Sequence, residues 1–217
     1  MNRRANQLRI TEIFHSLQGE SVTMGLPTVF VRLTGCPLRC QYCDTAYAFH
    51  GGQLRDISDI LADVAAFNCS HVCVTGGEPL AQPGCIDLLQ QLCENGYHVS
   101  LETSGARDLA GVDPRVMIVM DLKTPDSGEC EKNKYTNLSY LKATDQIKFV
   151  LCSREDYLWA CAIISEYKLT KRVHILFSPS WGQLHPTELA NWIIEDKLSV
   201  RFQLQLHKIL WNDAPGH

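Results

Sequence analysis

The chain has 217 residues, 45% of them hydrophobic and 20% charged, and carries a formal charge of −4. That balance fits one sizeable globular domain spanning residues 1–217 and leaves no basic footprint for nucleic acid. No apolar run reaches the length of a membrane span, and the first residues do not read as an export signal. The expectation is a cytoplasmic protein whose ten cysteines stay reduced.

In chain order, Leu8–Phe14 alternates apolar and polar residues as a half-buried strand does, then gives way to a polar loop, His15–Ser21. Residues 8–27 are thus a strand and its loop. Pro27 introduces Thr28–Leu33, β-branched and aromatic, a strong strand. A cysteine-bearing loop, 34–52, follows directly. Asp56–Phe67 carries apolar residues at helical spacing, and His71–Thr75 is a short buried strand that empties into Gly76-Gly77-Glu78-Pro79. Cys85–Glu94 reads as a helix with Gly96 as its cap, and His98–Glu102 as a strand ending at Thr103-Ser104-Gly105. Val116–Asp121 is the next strand, ending at Leu122-Lys123, and Asp126–Thr136 has no period and reads as loop. Gln146–Leu151 is a strand; Arg154–Tyr167 is a helix with Ser153 as N-cap. Val173–Phe177 opens into Ser178-Pro179-Ser180-Trp181, Pro186 starts the last helix, and Arg201–Leu206 is the final strand before a tail, 207–217.

Strands alternating with helices predict parallel βαβ units. About seven strands in this length are too few for a full eight-unit barrel of about 250 residues. The expected fold is therefore α/β, a partial, reduced (β/α) barrel. Every polar or glycine-rich cluster follows the C-terminal end of a predicted strand, which is where α/β barrels build their sites.

Cys36, Cys40 and Cys43 put three thiolates on one tight loop. A four-iron cluster normally takes four cysteines, so three would leave one iron open to a ligand. A zinc site completed by His50 is the alternative, although no second CxxC pair occurs, and unligated thiols are another. The other cysteines, such as Cys73 and Cys85, sit in apolar surroundings and read as small buried hydrophobes. Gly76-Gly77 would let backbone approach a ligand closely, with Glu78 beside it able to accept from an ammonium; an ordinary turn is the plainer reading. Glu102 is either a ribose ligand at the barrel mouth or a solvated strand end. Lys123 is either an anion contact or a solvated lysine.

The CxxxCxxC spacing, with Tyr42 before the last cysteine, resembles the signature of radical S-adenosylmethionine (SAM) enzymes. Ser16-Leu17-Gln18-Gly19-Glu20, Cys43-Asp44-Thr45, Gly76–Pro79, Glu102–Gly105, Asp121–Lys123 and Gln205–Lys208 together narrow the resemblance to the 7-carboxy-7-deazaguanine synthase family. What this implies is a carbon–nitrogen lyase of queuosine-type biosynthesis, converting 6-carboxy-5,6,7,8-tetrahydropterin to 7-carboxy-7-deazaguanine with release of ammonia. It implies a 4Fe-4S cluster on Cys36, Cys40 and Cys43, with SAM at the open iron. SAM contacts are expected from Tyr42, Cys43, Asp44, Gly77, Glu78, Glu102, Ser104, Asp121, Leu122, Lys123, Ser178, Pro179, Ser180 and Trp181. Substrate contacts are expected from Leu17, Gln18, Gly19, Arg32, Thr75 and His207. Thr45 is expected to offer its hydroxyl to Mg2+, or else to cap Asp44 as a turn residue, and His207 could equally be structural. No protein acid or base is assigned. A homodimer and a reducing electron donor such as flavodoxin complete what the resemblance implies, with no nucleic-acid or membrane partner.

Two departures stand out. Ser21 occupies a position where the family often has glycine, and the chain runs past Pro215 where some members end on a substrate-binding proline. A glycyl-radical activase would share the cysteine loop but gives no reason for Leu17–Glu20 or Cys43-Asp44-Thr45. A non-catalytic zinc or electron-transfer module is the remaining alternative.

Overall fold

The computed structural model describes residues 6–212, 214 and 216. Its strands are β1 (Gln7–Leu17), β2 (Pro27–Leu33), β3 (Gln53–Asp56), β4 (His71–Gly76), β5 (His98–Thr103), β6 (Met117–Asp121), β7 (Gln146–Leu151), β8 (His174–Pro179) and β9 (Arg201–Phe202). They form a single nine-stranded sheet in the order β3-β1-β2-β4-β5-β6-β7-β8-β9. From β2 through β4 to β9 each neighbour runs parallel to the last, as a partial barrel requires. The helices are α1 (Ile57–Ala66), α2 (Cys85–Glu94), α3 (Arg154–Tyr167), α4 (Pro186–Glu195) and α5 (Leu206–Trp211). Among the described residues no helix is long and apolar enough to cross a membrane.

Two apolar clusters hold the helices to the sheet. Val29, Val31 and Leu33 of β2, Val72 and Val74 of β4, and Val99 and Leu101 of β5 pack against Ile57, Ile60 and Val64 of α1 and Leu88, Leu89 and Leu92 of α2. Ile147, Phe149 and Leu151 of β7 and Ile175 and Phe177 of β8 pack with Tyr157 and Ala160 of α3 and Leu189 and Ile193 of α4. Because side chains alternate along a strand, the residues between these face the other way. Those intervening residues include Phe30, Arg32, Thr75, Glu102, Asp121 and Lys148, and all of them line one cavity. Burying one face of the sheet thus delivers the polar set to the other.

Most predicted elements are found within a residue or two of their expected ends. Ser153 caps α3, its hydroxyl accepting from Asp156 N at 3.2 Å. Gly96 closes α2 with φ +84°, and Gly105–Arg115 crosses without a helix.

Four features differ. β1 continues through His15–Leu17, because those residues pair antiparallel with β2 as far as Leu17 opposite Pro27. β3 is an unpredicted edge strand that pairs only with β1; its mostly exposed side chains carry no alternation to read. The Asp126–Thr136 segment contains short 3-10 turns at Pro125–Ser127 and Cys130–Lys132. The last predicted strand stops at Phe202, and the chain turns into α5 instead. Gln203 Oε1 accepts from Ser21 N at 3.2 Å and Leu206 N donates to Gly19 O at 3.0 Å. Gln203 N still donates to Phe177 O of β8 at 2.9 Å, and beyond it the chain is tied to the loop after β1.

Candidate active site

The inner face of the sheet and the loops at its C-terminal edge enclose a cavity of about 520 Å³. Cys36, Cys40 and Cys43 are half-buried on its wall, each a free thiol. Their loop is held from both ends: Gly35 N donates to Ala48 O at 2.8 Å and Gln41 N to Ser127 O at 3.1 Å. Arg39 clamps it from within, donating to the carbonyls of Cys36 at 2.7 Å and Leu38 at 2.6 Å while stacking 4.2 Å from the Phe49 ring. Burial pushes the Cys40 thiol up to about 11. Among the described residues no set of three or more His, Cys, Asp or Glu is gathered to hold a single metal ion. A cluster whose thiolates each bind a different iron needs no such single point.

Gly76 and Gly77 stand against this loop. A Cβ on Gly77 would fall 2.3 Å from Gly35 O and 2.6 Å from Cys36 Cβ. Gly76 has φ +149°, and a Cβ there would meet Leu33 O at 2.3 Å.

A chain of charges crosses the far wall. Lys148 Nζ lies 2.6 Å from Glu20 Oε2 and 3.6 Å from Asp121 Oδ2, and Asp121 Oδ2 also meets Lys123 Nζ at 3.0 Å. Burial alone would raise Asp121, but Lys123 and Lys148 outweigh it and hold the carboxyl below its ordinary value. Glu102 goes the other way, raised by burial and then by the Glu20 carboxylate. Its oxygens accept from Gln18 Nε2 at 3.4 Å and Thr75 Oγ1 at 3.3 Å. Arg32, on the same wall, donates from Nε to Glu12 at 2.7 Å.

The start of α5 covers the mouth. Asp44 Oδ2 takes Lys208 Nζ at 3.1 Å and Gln205 Nε2 at 3.2 Å, and a Cβ on Gly19 would come within 2.5 Å of His207 Nδ1. Thr45 donates its hydroxyl to Asp44 Oδ1 at 2.8 Å, the turn role weighed from sequence. Burial pulls the Asp44 carboxyl up, but Lys208 and the Thr45 bond overcome it and hold it well below the usual range.

Four of the cavity's residues carry a buried polar atom with no hydrogen-bond partner: Glu20 Oε1, Tyr42 OH, Asp121 Oδ1 and Ser180 Oγ. Buried polar groups are rarely left unpaired, so these atoms point to a polar ligand. Thiols, close backbone and orphaned acceptors together fit a cluster with a SAM-sized molecule beside it.

Residues 30–177 match the radical SAM superfamily. A 7-carboxy-7-deazaguanine synthase of Chlorobaculum tepidum is 46% identical over 96% of this chain and 97% of its own, and one from Thermoplasma acidophilum is 35% identical over 95% and 99%. The chain belongs to the 7-carboxy-7-deazaguanine synthase family. The crystal structure of QueE from Escherichia coli, at 24% identity, shares the fold with a TM-score of 0.76 over 93% of this chain and 95% of that one. Membership of this radical SAM family carries with it a 4Fe-4S cluster and SAM as cofactors.

Against that family's expected contacts, the cavity gathers Leu17, Gln18, Gly19, Arg32, Thr75 and His207, together with Thr45 and the cysteines. It also gathers Tyr42, Asp44, Gly77, Ser104, Asp121, Lys123, Ser180 and Trp181. Glu78 is different. It is fully buried, and its carboxylate is spent inside the protein on Leu80 N at 3.0 Å, Thr103 Oγ1 at 2.9 Å and Ser104 N at 2.8 Å. It braces the end of β5 and is turned away from the cavity. Leu122, Ser178 and Pro179 likewise lie behind the wall, and Leu122 packs in the core. Glu102 sits with Gln18 and Thr75 rather than with the glycine pair. Pro215 lies outside the described residues.

Ser21 resolves one departure. Its φ of +72° is the left-handed conformation that glycine adopts freely, so the backbone there keeps a glycine-like turn despite the side chain. The Ser21 hydroxyl compensates by bonding Thr23 Oγ1 at 2.7 Å and accepting from Thr23 N at 3.1 Å.

Lys148, Glu20, Glu12 and Arg39 escaped the sequence reading as site residues. Lys148 had a signal: it is the one charged residue in the run Gln146–Leu151, on the face opposite Ile147 and Phe149.

Proposed function

We propose that the chain is a carbon–nitrogen lyase that converts 6-carboxy-5,6,7,8-tetrahydropterin to 7-carboxy-7-deazaguanine and ammonia, on the route to 7-deazapurine bases such as queuosine. The observation that carries this is the meeting of three loop thiols, a glycine pair and a charged wall around one cavity. Relatives named for this reaction align with the chain along nearly all its length. All of residues 1–217 act as one catalytic unit in this reading.

Cys36, Cys40 and Cys43 would hold the 4Fe-4S cluster, leaving one iron for SAM. Bound there, the cluster and SAM would supply radical hydrogen-abstraction chemistry, and the protein would supply position. Gly76 and Gly77 let backbone reach SAM, a role that moves from the Glu78 carboxylate to the main chain. Tyr42 OH, Asp121 Oδ1 and Ser180 Oγ offer the unmet hydrogen bonds along its length. Arg32 meets the pterin carboxylate. Gln18, Thr75 and Glu102 form a polar edge for the pterin ring, so Glu102 belongs to substrate rather than to SAM. Because Glu102 is raised, it is the carboxyl on this wall best suited to hold a proton. Phe14 and Phe30, stacked at 5.0 Å, exclude water beside Arg32.

Mg2+ binding at Thr45 is part of the same reading, since the hydroxyl oxygen that donates to Asp44 keeps lone pairs for a hard cation. Thr45→Ala should leave SAM binding intact and blunt the Mg2+ dependence of turnover. An unchanged Mg2+ titration would remove Thr45 as a ligand. A homodimer reduced by a flavodoxin-type donor is the working assembly in this reading.

Arg32→Ala tests the substrate assignment. It should raise the KM for the pterin by about 100-fold, roughly 3 kcal/mol for a lost charge-assisted pair, with iron content unchanged. Loss of iron instead would make Arg32 structural.

A further inference from the structure

The core-facing residues of β1 are Leu8, Ile10 and Ile13, and the step from 10 to 13 breaks the alternation of a regular strand. Register explains it. Ile10 lies opposite Leu33 and Glu12 opposite Arg32, so two steps on β1 match one on β2. This is a β-bulge at Thr11, whose hydroxyl is bonded to that of Thr34 at 2.7 Å. Bulges re-aim the side chains that follow them. Without it, Glu12 and Phe14 would share the face of Ile10 and enter the core. With it, Glu12 stands beside Arg32, and Phe14 beside Phe30.

Arg32 is consequently fixed on three sides. Its Nε donates to Glu12 Oε1 at 2.7 Å, and Tyr47 OH donates to the same oxygen at 2.8 Å. The guanidinium carbon lies 5.7 Å from the Phe14 ring centroid and 5.8 Å from that of Tyr47. Nε is committed, while the residue still lines the cavity.

We propose that Glu12, supported by Tyr47, is a positioning residue that orients Arg32 so that its two terminal nitrogens form a ready fork for the substrate carboxylate. The inference rests on the reading that Arg32 meets that carboxylate. A carboxylate gripped by two parallel N–H bonds demands a fixed guanidinium plane, and the Glu12–Tyr47–Phe14 cage supplies one. A side chain ordered before binding need not be ordered by the ligand, and the gain falls on affinity. Glu12 itself touches no reacting atom.

The test uses cluster- and SAM-loaded protein and two probes, 6-carboxytetrahydropterin and tetrahydropterin without the carboxylate, titrated calorimetrically. Glu12→Gln should weaken the first probe by about 10-fold, roughly 1.4 kcal/mol, and the second by less than about 2-fold. In turnover the loss should fall on KM rather than kcat. Tyr47→Phe should show the same selectivity at about 3-fold, and it carries the test should Glu12→Gln fold poorly. Equal weakening of both probes, or of neither, overturns the positioning role. The Arg32→Ala arm separates the two claims: selective loss of the carboxylate probe there, with none in Glu12→Gln, sinks only the inference. If Arg32→Ala shows no selectivity either, the assignment of Arg32 falls and the inference with it.

Discussion

Gly77→Ala should leave the protein folded and strip it of most of its iron. The added methyl would sit 2.3 Å from Gly35 O and 2.6 Å from Cys36 Cβ, separations that carbon atoms do not tolerate. Neither neighbour is the loose end of a flexible side chain. Gly35 O already accepts from Glu78 N at 2.9 Å, so the junction between the β4 turn and the cysteine loop must open. Overpacking of this kind costs about 1–3 kcal/mol, which a sheet of this size survives. The cysteine loop is expected to be displaced, because the glycine turn is tied through Gly76 into the ladder between β4 and β2. Anaerobic reconstitution followed by iron and sulfide analysis should find at least about a tenfold drop in cluster content, with an unchanged far-ultraviolet spectrum. A full iron complement in the variant would mean that the close approach of Gly77 does not position the loop.

The second large effect is expected at Lys148. Its ammonium is buried between Glu20 and Asp121 and lies close to Glu102, so Lys148→Met leaves carboxylates facing one another with fewer cations between them. Breaking a buried pair by removing one partner typically costs about 3–5 kcal/mol. Equilibrium urea unfolding at neutral pH should report a loss of that order, against an Ile147→Val control at about 1 kcal/mol. The pH dependence has a definite sign. Asp121 is held below its ordinary 3.8, so the stability it contributes is present above that value and fades as pH falls. Glu102 is already raised by burial and takes up a proton first, which relieves the repulsion left in the variant, so its deficit should shrink on acidification. A deficit that stays constant from neutral pH down to about 5 would show that the cost is packing rather than charge.

How much of this was open to reading from the chain depends on distance along it. The cysteine loop, the glycine pair and strands β4 to β8 are local patterns, and local patterns are legible. Arg32 and Thr75 were expected only through the family resemblance, and the alternation of β2 and β4 then sends them to the face opposite Val31 and Val74. Glu78 could not, since its carboxylate is taken by Thr103 and Ser104, contacts made only when β4 and β5 come together. Glu12 was hidden by the bulge at Thr11, which breaks the alternation that a strand reading assumes. The end of β9 was misread because Leu206 and Gln203 bond the loop at Gly19–Ser21, nearly the whole chain away. The cysteine spacing made a cluster with an open iron legible, and SAM followed from the resemblance that spacing carries; the cage that orients Arg32 was not legible.

The most direct measurement is an anaerobic reaction of the reconstituted protein with reductant, SAM, Mg2+ and 6-carboxy-5,6,7,8-tetrahydropterin, followed by mass spectrometry. The expected result is 7-carboxy-7-deazaguanine accumulating over many turnovers while SAM remains undiminished. A reconstituted protein that carries its iron, cleaves SAM to 5′-deoxyadenosine and leaves the pterin unchanged would contradict the proposed reaction.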